Sequence, residues 1–155
     1  MTLKFMELRV PPVLVVSVIA LLMWLFSQFY YVVRIKFDHQ LTIGVICGLF
    51  GVILILCGVV RFRKNNTTVN PMTPAQTSLL VTNGIYRFTR NPMYLGMLFV
   101  LIGWAMALFT FSSWLFIPVF IWYMNQFQIK PEEQMLRKQF GQTYEAYLAR
   151  VRRWI

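Results

Sequence analysis

The sequence predicts an all-α integral membrane protein: four transmembrane helices followed by a C-terminal amphipathic cytoplasmic helix. Three observations predict it. Of 155 residues, 58% are hydrophobic and only 13% are charged, against about 45–50% and about 25% in soluble domains. Asp, Glu, Lys, Arg and His are missing from residues 10–33, 40–60 and 91–129, and about 20 mostly apolar residues suffice for a helix to cross a bilayer. The third observation is where the 15 basic residues fall. With four spans, all but Arg34 and Lys36 lie on one side, which the positive-inside rule makes the cytoplasm. That asymmetry accounts for a net charge of +10 without any nucleic-acid partner.

The first span, about 10–33, opens on Pro11-Pro12, where a helix tolerates proline. Its apolar core is too long for the usual cleaved signal peptide and no small-x-small site follows it. Ser27-Gln28-Phe29-Tyr30-Tyr31 reads as its interfacial end. The second span, about 40–60, carries Gly44, Gly48, Gly51 and Gly58 on one face, a stripe that lets another helix come close. Cys47 and Cys57 stand too far apart along it for a disulfide. With one His and those two Cys, no metal site is expected.

Residues 61–91 form a cytoplasmic loop, turn-rich around Asn65-Asn66-Thr67-Thr68 and Asn70-Pro71. Loops of this length are usually functional. The third and fourth spans, about 92–110 and 113–129, make a tight hairpin that breaks near Thr110 and Ser113. The tail, 131–153, reads as one helix: Pro131 suits its first turn, and Glu132 and Glu133 suit the positive end of its dipole. Leu136, Phe140, Tyr144, Tyr147, Leu148 and Val151 give it an apolar stripe. Arg150, Arg152 and Arg153 beside Trp154 suit an anionic membrane surface. The whole chain, 1–155, reads as a single domain.

The hairpin brings two polar segments to one membrane depth: residues 84–96, and residues 128–133. Arg90 offers a planar fork for a carboxylate. Glu132 or Glu133 suits ribose hydroxyls or an ammonium, and Tyr86 and Tyr94 can face a cation. Each also has a plainer use, as a cytoplasmic anchor, a helix-start charge pair or a belt tyrosine. The residues alone lead to a membrane protein with a cytoplasmic polar site.

Gly-Ile-Tyr-Arg-x-x-Arg-Asn-Pro-Met-Tyr-Leu-Gly over 84–96 resembles the signature of the isoprenylcysteine carboxyl methyltransferase and phospholipid methyltransferase superfamily. So does Pro-Glu-Glu-x-x-Leu-x-x-x-Phe-Gly-x-x-Tyr-x-x-Tyr-x-x-x-Val-x-Arg-Trp over 131–154. Thr67-Thr68-Val69-Asn70-Pro71 and the Pro11-Pro12 start resemble small bacterial members. The resemblance implies a membrane enzyme that uses S-adenosylmethionine in a cytoplasmic pocket. It also implies a lipophilic or amphipathic substrate entering from the bilayer, and a location in the bacterial inner membrane with both termini cytoplasmic. Carried over by position, Tyr86, Arg90, Asn91, Pro92, Tyr94, Leu95, Gly96, Glu132 and Glu133 bind the cofactor. Arg90 and Glu133 are the expected catalytic pair, with Glu133 as base for an amine acceptor. The family often has His where this chain has Asn91, and Arg where it has Gln128.

Within the superfamily, a phospholipid amine is the alternative acceptor. Two other classes compete: an NADPH-dependent membrane reductase of the sterol and steroid reductase type, which shares an Arg-x-Pro-x-Tyr-x-Gly motif, and a non-enzymatic membrane protein.

Overall fold

The structure, a computed structural model, describes residues 8–29, 33–64 and 80–155. The turn-rich stretch from Asn65 to Pro74, with Tyr30, Tyr31 and Lys4, lies outside them. Among the described residues every regular element is a helix, and the one β pairing is an isolated bridge between Arg34 and Thr110.

Helix α1, Pro12–Phe29, buries Val15, Ile19, Met23 and Ser27, one stripe at spacings of four. Its other faces leave large apolar side chains exposed, among them Val13, Leu14 and Leu21. Helix α2, Gln40–Lys64, does the same with Leu41, Ile46, Leu49 and Leu56. Pro12–Phe29 and Gln40–Arg61 are both long and apolar enough to cross a membrane. The first helix is described as far as Phe29, and Val33 lies outside it; the second runs past the expected residue 60 to Lys64.

Helix α3, Pro92–Leu108, lies antiparallel to α2 along a seam of glycines. A Cβ on Gly44 would stand 3.0 Å from the Gly103 carbonyl oxygen, and one on Gly51 would stand 2.5 Å from that of Gly96. One on Gly58 would meet the Met93 side chain at 2.6 Å. From Gly44 to Gly51 the contact moves back seven residues along α3, from Gly103 to Gly96, and at Gly58 it reaches the first turn of α3, so the two helices run in opposite directions along one shared face. Gly48 is different: a Cβ there meets nothing within 4 Å.

α3 ends at Phe109, which takes a left-handed φ of 55°. The chain then forms the short helices α4, Phe111–Trp114, and α5, Phe116–Met124. A π-helical turn, Asn125–Ile129, joins α5 directly to α6, Lys130–Leu148. From Phe116 to Leu148 the chain therefore runs on from helix to helix with no loop between. The tail helix also ends earlier than the expected 153. Inside it, Gly141 has φ 50° and ψ −125° and kinks the axis. Beyond Leu148 the last residues turn back over the start of α3. The core is built from Val15, Ile19 and Met23 of α1, Tyr94 and Leu101 of α3, Phe120 and Met124 of α5, and Ile129 of the π turn.

Candidate functional site

The carboxylates of α6 and the start of α3 meet. Pro92 opens α3, where its missing N–H is no loss. That places Tyr94 facing inward, and its hydroxyl donates to Glu132 Oε2 at 3.2 Å. Arg90 Nη2 lies 3.3 Å from Glu133 Oε1. Tyr86, on a 3-10 turn at Gly84–Arg87, is buried, and its carbonyl oxygen accepts a 2.8 Å bond from the Tyr147 hydroxyl. The apolar stripe of the tail thus serves the protein itself: Tyr144, Tyr147 and Val151 pack with Leu80, Leu136, Phe140 and Leu148.

The two glutamates have different surroundings. Glu133 is buried and bound by two guanidinium groups, Arg90 and Arg153. Arg153 grips it at both oxygens, Nε to Oε1 at 3.1 Å and Nη2 to Oε2 at 2.7 Å. Glu132 forms no ion pair among the described residues. Burial pushes its pKa up to about 7, against the lowering effect of the Tyr94 bond and with a smaller push from Glu133. Burial, and next to it the charge of Glu132, also drive the Tyr86 phenol up, so it stays protonated. Arg90 keeps one unused group: its Nε is buried and has no acceptor among the described residues.

Asn91 is employed in holding the chain end. Its Nδ2 donates to the Arg153 carbonyl at 2.9 Å, and Thr89 Oγ1 donates to the same oxygen at 3.4 Å. Arg90 N donates to the Arg152 carbonyl at 3.1 Å. Trp154 Nε1 closes the strap on Asn125 Oδ1 at 3.1 Å. Leu95 is buried in the first turn of α3. Gly96 points elsewhere: a Cβ there would meet Gly51 and Ile55 of α2, so its smallness serves helix packing. Gln128, at the family's arginine position, is wholly buried and donates to the Val10 carbonyl at 2.7 Å. It ties the π turn to the residues just ahead of α1.

Arg153 is the site residue that the sequence reading assigned elsewhere, to a membrane surface. The signal was present, since it is the arginine of the Val-x-Arg-Trp ending.

Comparison with known proteins bears on this constellation. The description of the phospholipid methyltransferase family matches residues 39–143, which include both the Arg90–Tyr94 and the Glu132–Glu133 halves of the site. The chain belongs to the phospholipid methyltransferase family. Within that family's wider superfamily it is similar to the protein-S-isoprenylcysteine O-methyltransferase of Schizosaccharomyces pombe, 38% identical over 73 residues, 47% of this chain and 31% of that one. It is also similar to a probable protein-S-isoprenylcysteine O-methyltransferase of Oryza sativa subsp. indica, 28% identical over 109 residues, 70% of this chain and 57% of that one. An uncharacterized protein of Haemophilus influenzae is 43% identical over 63 residues, 41% of this chain and 100% of that one. The chain therefore spans between 31% and 57% of those two methyltransferases. No solved structure matches. Membership of the phospholipid methyltransferase family supports methyl transfer and does not favour the reductase reading.

Proposed function

We propose that the protein is an integral-membrane, S-adenosylmethionine-dependent methyltransferase acting on a lipophilic or amphipathic acceptor of the isoprenylcysteine type. The observation that carries this reading is the division of labour at the site. One carboxyl, Glu132, has no cationic partner among the described residues, and one guanidinium, Arg90, has an unused N–H.

That donor set fits the cofactor, which presents an ammonium and a sulfonium together with a carboxylate. Glu132 would hold a cation and be kept ionised by it. Arg90 Nε would take the carboxylate, and Tyr86 and Tyr94 would supply the aromatic wall. When bound, the cofactor supplies an electrophilic methyl group on a sulfonium sulfur. The rest is positioning and exclusion of water by this chain's residues. Glu133 is occupied at both oxygens by the two guanidiniums. Glu132, which has no guanidinium partner among the described residues, is better placed to take a proton from an amine. An oxygen or sulfur acceptor that arrives as an anion needs no base. The Glu132 carboxyl is also what favours the second reading, a phospholipid amine acceptor.

In this reading the chain is one domain with four membrane passages: α1, α2, α3, and the run from α4 to the π turn. It sits in the bacterial inner membrane with both ends and the site on the cytoplasmic side, as the basic residues favour. The acceptor reaches the site from the bilayer.

The test is calorimetric titration of the protein in mild detergent with S-adenosylhomocysteine and, separately, NADPH. Saturable binding of the first alone is expected, weakened in Arg90→Ala and Glu132→Gln. Labelled methyl transfer to an isoprenylcysteine analogue or to phosphatidylethanolamine then identifies the acceptor. Binding of NADPH alone, or of neither ligand by folded protein, overturns the reading. Normal binding by folded Arg90→Ala and Glu132→Gln overturns the site.

A further inference from the structure

A second polar recess lies at the opposite end of the helices from Glu132. It is about 960 Å³ in volume and is walled by the last turns of α1 and α3 and by Arg34, Lys36, Phe37 and Asp38 ahead of α2. That is the upper part of the roughly 300–1,000 Å³ range of small-molecule sites. Nothing in the methyl-transfer reading uses it.

Its wall is a held piece of backbone. Ile35 N donates to the Phe109 carbonyl and Phe111 N to that of Val33, both at 3.0 Å. Gln40, buried at the head of α2, accepts from Phe37 N and donates to the Met106 carbonyl. In an extended stretch, alternate residues share a face. Pairing at Arg34 therefore sets Arg34 and Lys36 on one side, and both line the recess, with Asp38 beyond them. These are the only basic residues that the sequence places at this end of the helices. Two left-handed residues that are not glycine, His39 and Phe109, keep the loop in this shape. Such conformations cost about 1–3 kcal/mol each and persist where the surroundings impose them.

The other wall grades from apolar to polar. Leu21, Trp24 and Gln28 follow one another at helical spacing along α1, and Trp24 and Gln28 line the recess. Trp104 stands opposite, its indole N–H fixed on the Ala20 carbonyl at 3.1 Å. An occupant therefore meets two cations and one carboxylate at its head, tryptophan at its waist, and exposed hydrocarbon side chains further along α1.

We propose that this recess binds the headgroup of a zwitterionic aminophospholipid in the leaflet away from the methyltransferase site. Arg34 and Lys36 hold the phosphate through charge-assisted hydrogen bonds, and Asp38 holds the ammonium. The acyl chains follow the exposed apolar face of α1. A soluble anion would use the cations and leave Trp24 and Leu21 unoccupied, which is why the lipid is the fitting source.

The full chain in detergent would be titrated with short-chain phosphatidylethanolamine, phosphatidylglycerol and diacylglycerol of the same chain length, and with free phosphoethanolamine. Binding would be read by native mass spectrometry and thermal unfolding. Phosphatidylethanolamine should bind at least about tenfold more tightly than each of the other three. Arg34→Gln with Lys36→Gln should remove that advantage, and Asp38→Asn should erase the preference for ethanolamine over glycerol. All three positions are exposed, and unchanged gel-filtration profiles would show that the variants fold. The proposal fails if diacylglycerol, phosphatidylglycerol or free phosphoethanolamine binds as tightly as phosphatidylethanolamine. It also fails if the folded variants keep the wild-type pattern.

Discussion

Arg153 reaches back across the length of α6 to grip Glu133 at both carboxylate oxygens, at 3.1 and 2.7 Å. With Arg90 on the other side, that carboxylate joins three segments distant in sequence: the start of α3, the start of α6 and the terminal strap. The Arg90 and Arg153 side chains are 13% and 32% exposed, so the ion pairs are partly sheltered from solvent. Losing one partner of a buried pair is expensive because the other charge stays behind. Glu133→Gln should destabilise the protein by about 2–3 kcal/mol in thermal or denaturant unfolding. Arg153→Gln should cost less, because it is the more exposed partner. The double variant should be less than additive.

Glu132 should make stability depend on pH in the direction opposite to an ion-paired carboxylate. Its folded pKa of about 7 lies above the ordinary 4.5, so the native state binds the proton more tightly than the unfolded chain. Stability should therefore fall as pH rises from about 4.5 to 7 and level off above that. With its half-buried side chain, the effect should be on the order of 1–2 kcal/mol. Unfolding temperatures of wild type and Glu132→Gln, compared from pH 5 to 8, isolate it. The variant should be the more stable of the two at pH 8, and the gap should close toward pH 5.

A cation bound beside Glu132 should lower that pKa and release a proton. Calorimetric binding of S-adenosylhomocysteine, which retains the ammonium, should give an apparent enthalpy near pH 7 that varies with the ionisation enthalpy of the buffer. The variation should vanish in Glu132→Gln. An enthalpy independent of buffer in the wild type would remove Glu132 from the cofactor site.

The α2–α3 seam separates two glycines that look equivalent in sequence. Gly51→Val should disrupt the pair, because a Cβ would already stand 2.5 Å from a backbone oxygen. Overpacking of this kind costs about 1–3 kcal/mol, and more where backbone must move. Gly48→Ala has open space and should be neutral or stabilising by up to about 1 kcal/mol. Unfolding in detergent distinguishes the two.

Gly141 poses a different problem. A Cβ there meets nothing, yet its backbone angles are hostile to any side chain. Gly141→Ala should cost about 1–3 kcal/mol through the backbone alone, and proteolysis of the tail should accelerate.

What the sequence made legible was what local pattern encodes. The uncharged stretches announced α1 and α2. Pro92 marked the start of α3, and Glu132 and Glu133 the start of α6. What it hid depends on partners far along the chain. No periodicity shows that Arg153 answers Glu133, or that Asn91 holds the Arg153 carbonyl. Nothing local separates Gly96, which packs on α2, from a cofactor-lining glycine, nor two adjacent glutamates of which one is neutralised and one is not. The tail helix looked longer than it is because Val151 and its neighbours kept the apolar rhythm after the backbone had left the helix.

The π-helical turn at Asn125–Ile129 acts as a phase adjuster between α5 and α6. One residue advances an α-helix by about 100°. Deleting a single residue in that turn, such as Gln126, would let α5 and α6 run as one regular helix. Everything downstream would then rotate by roughly that angle, taking Glu132 off Tyr94 and Glu133 off Arg90 together. The orientation of both carboxylates is thus set by one surplus residue in a stretch that carries neither of them.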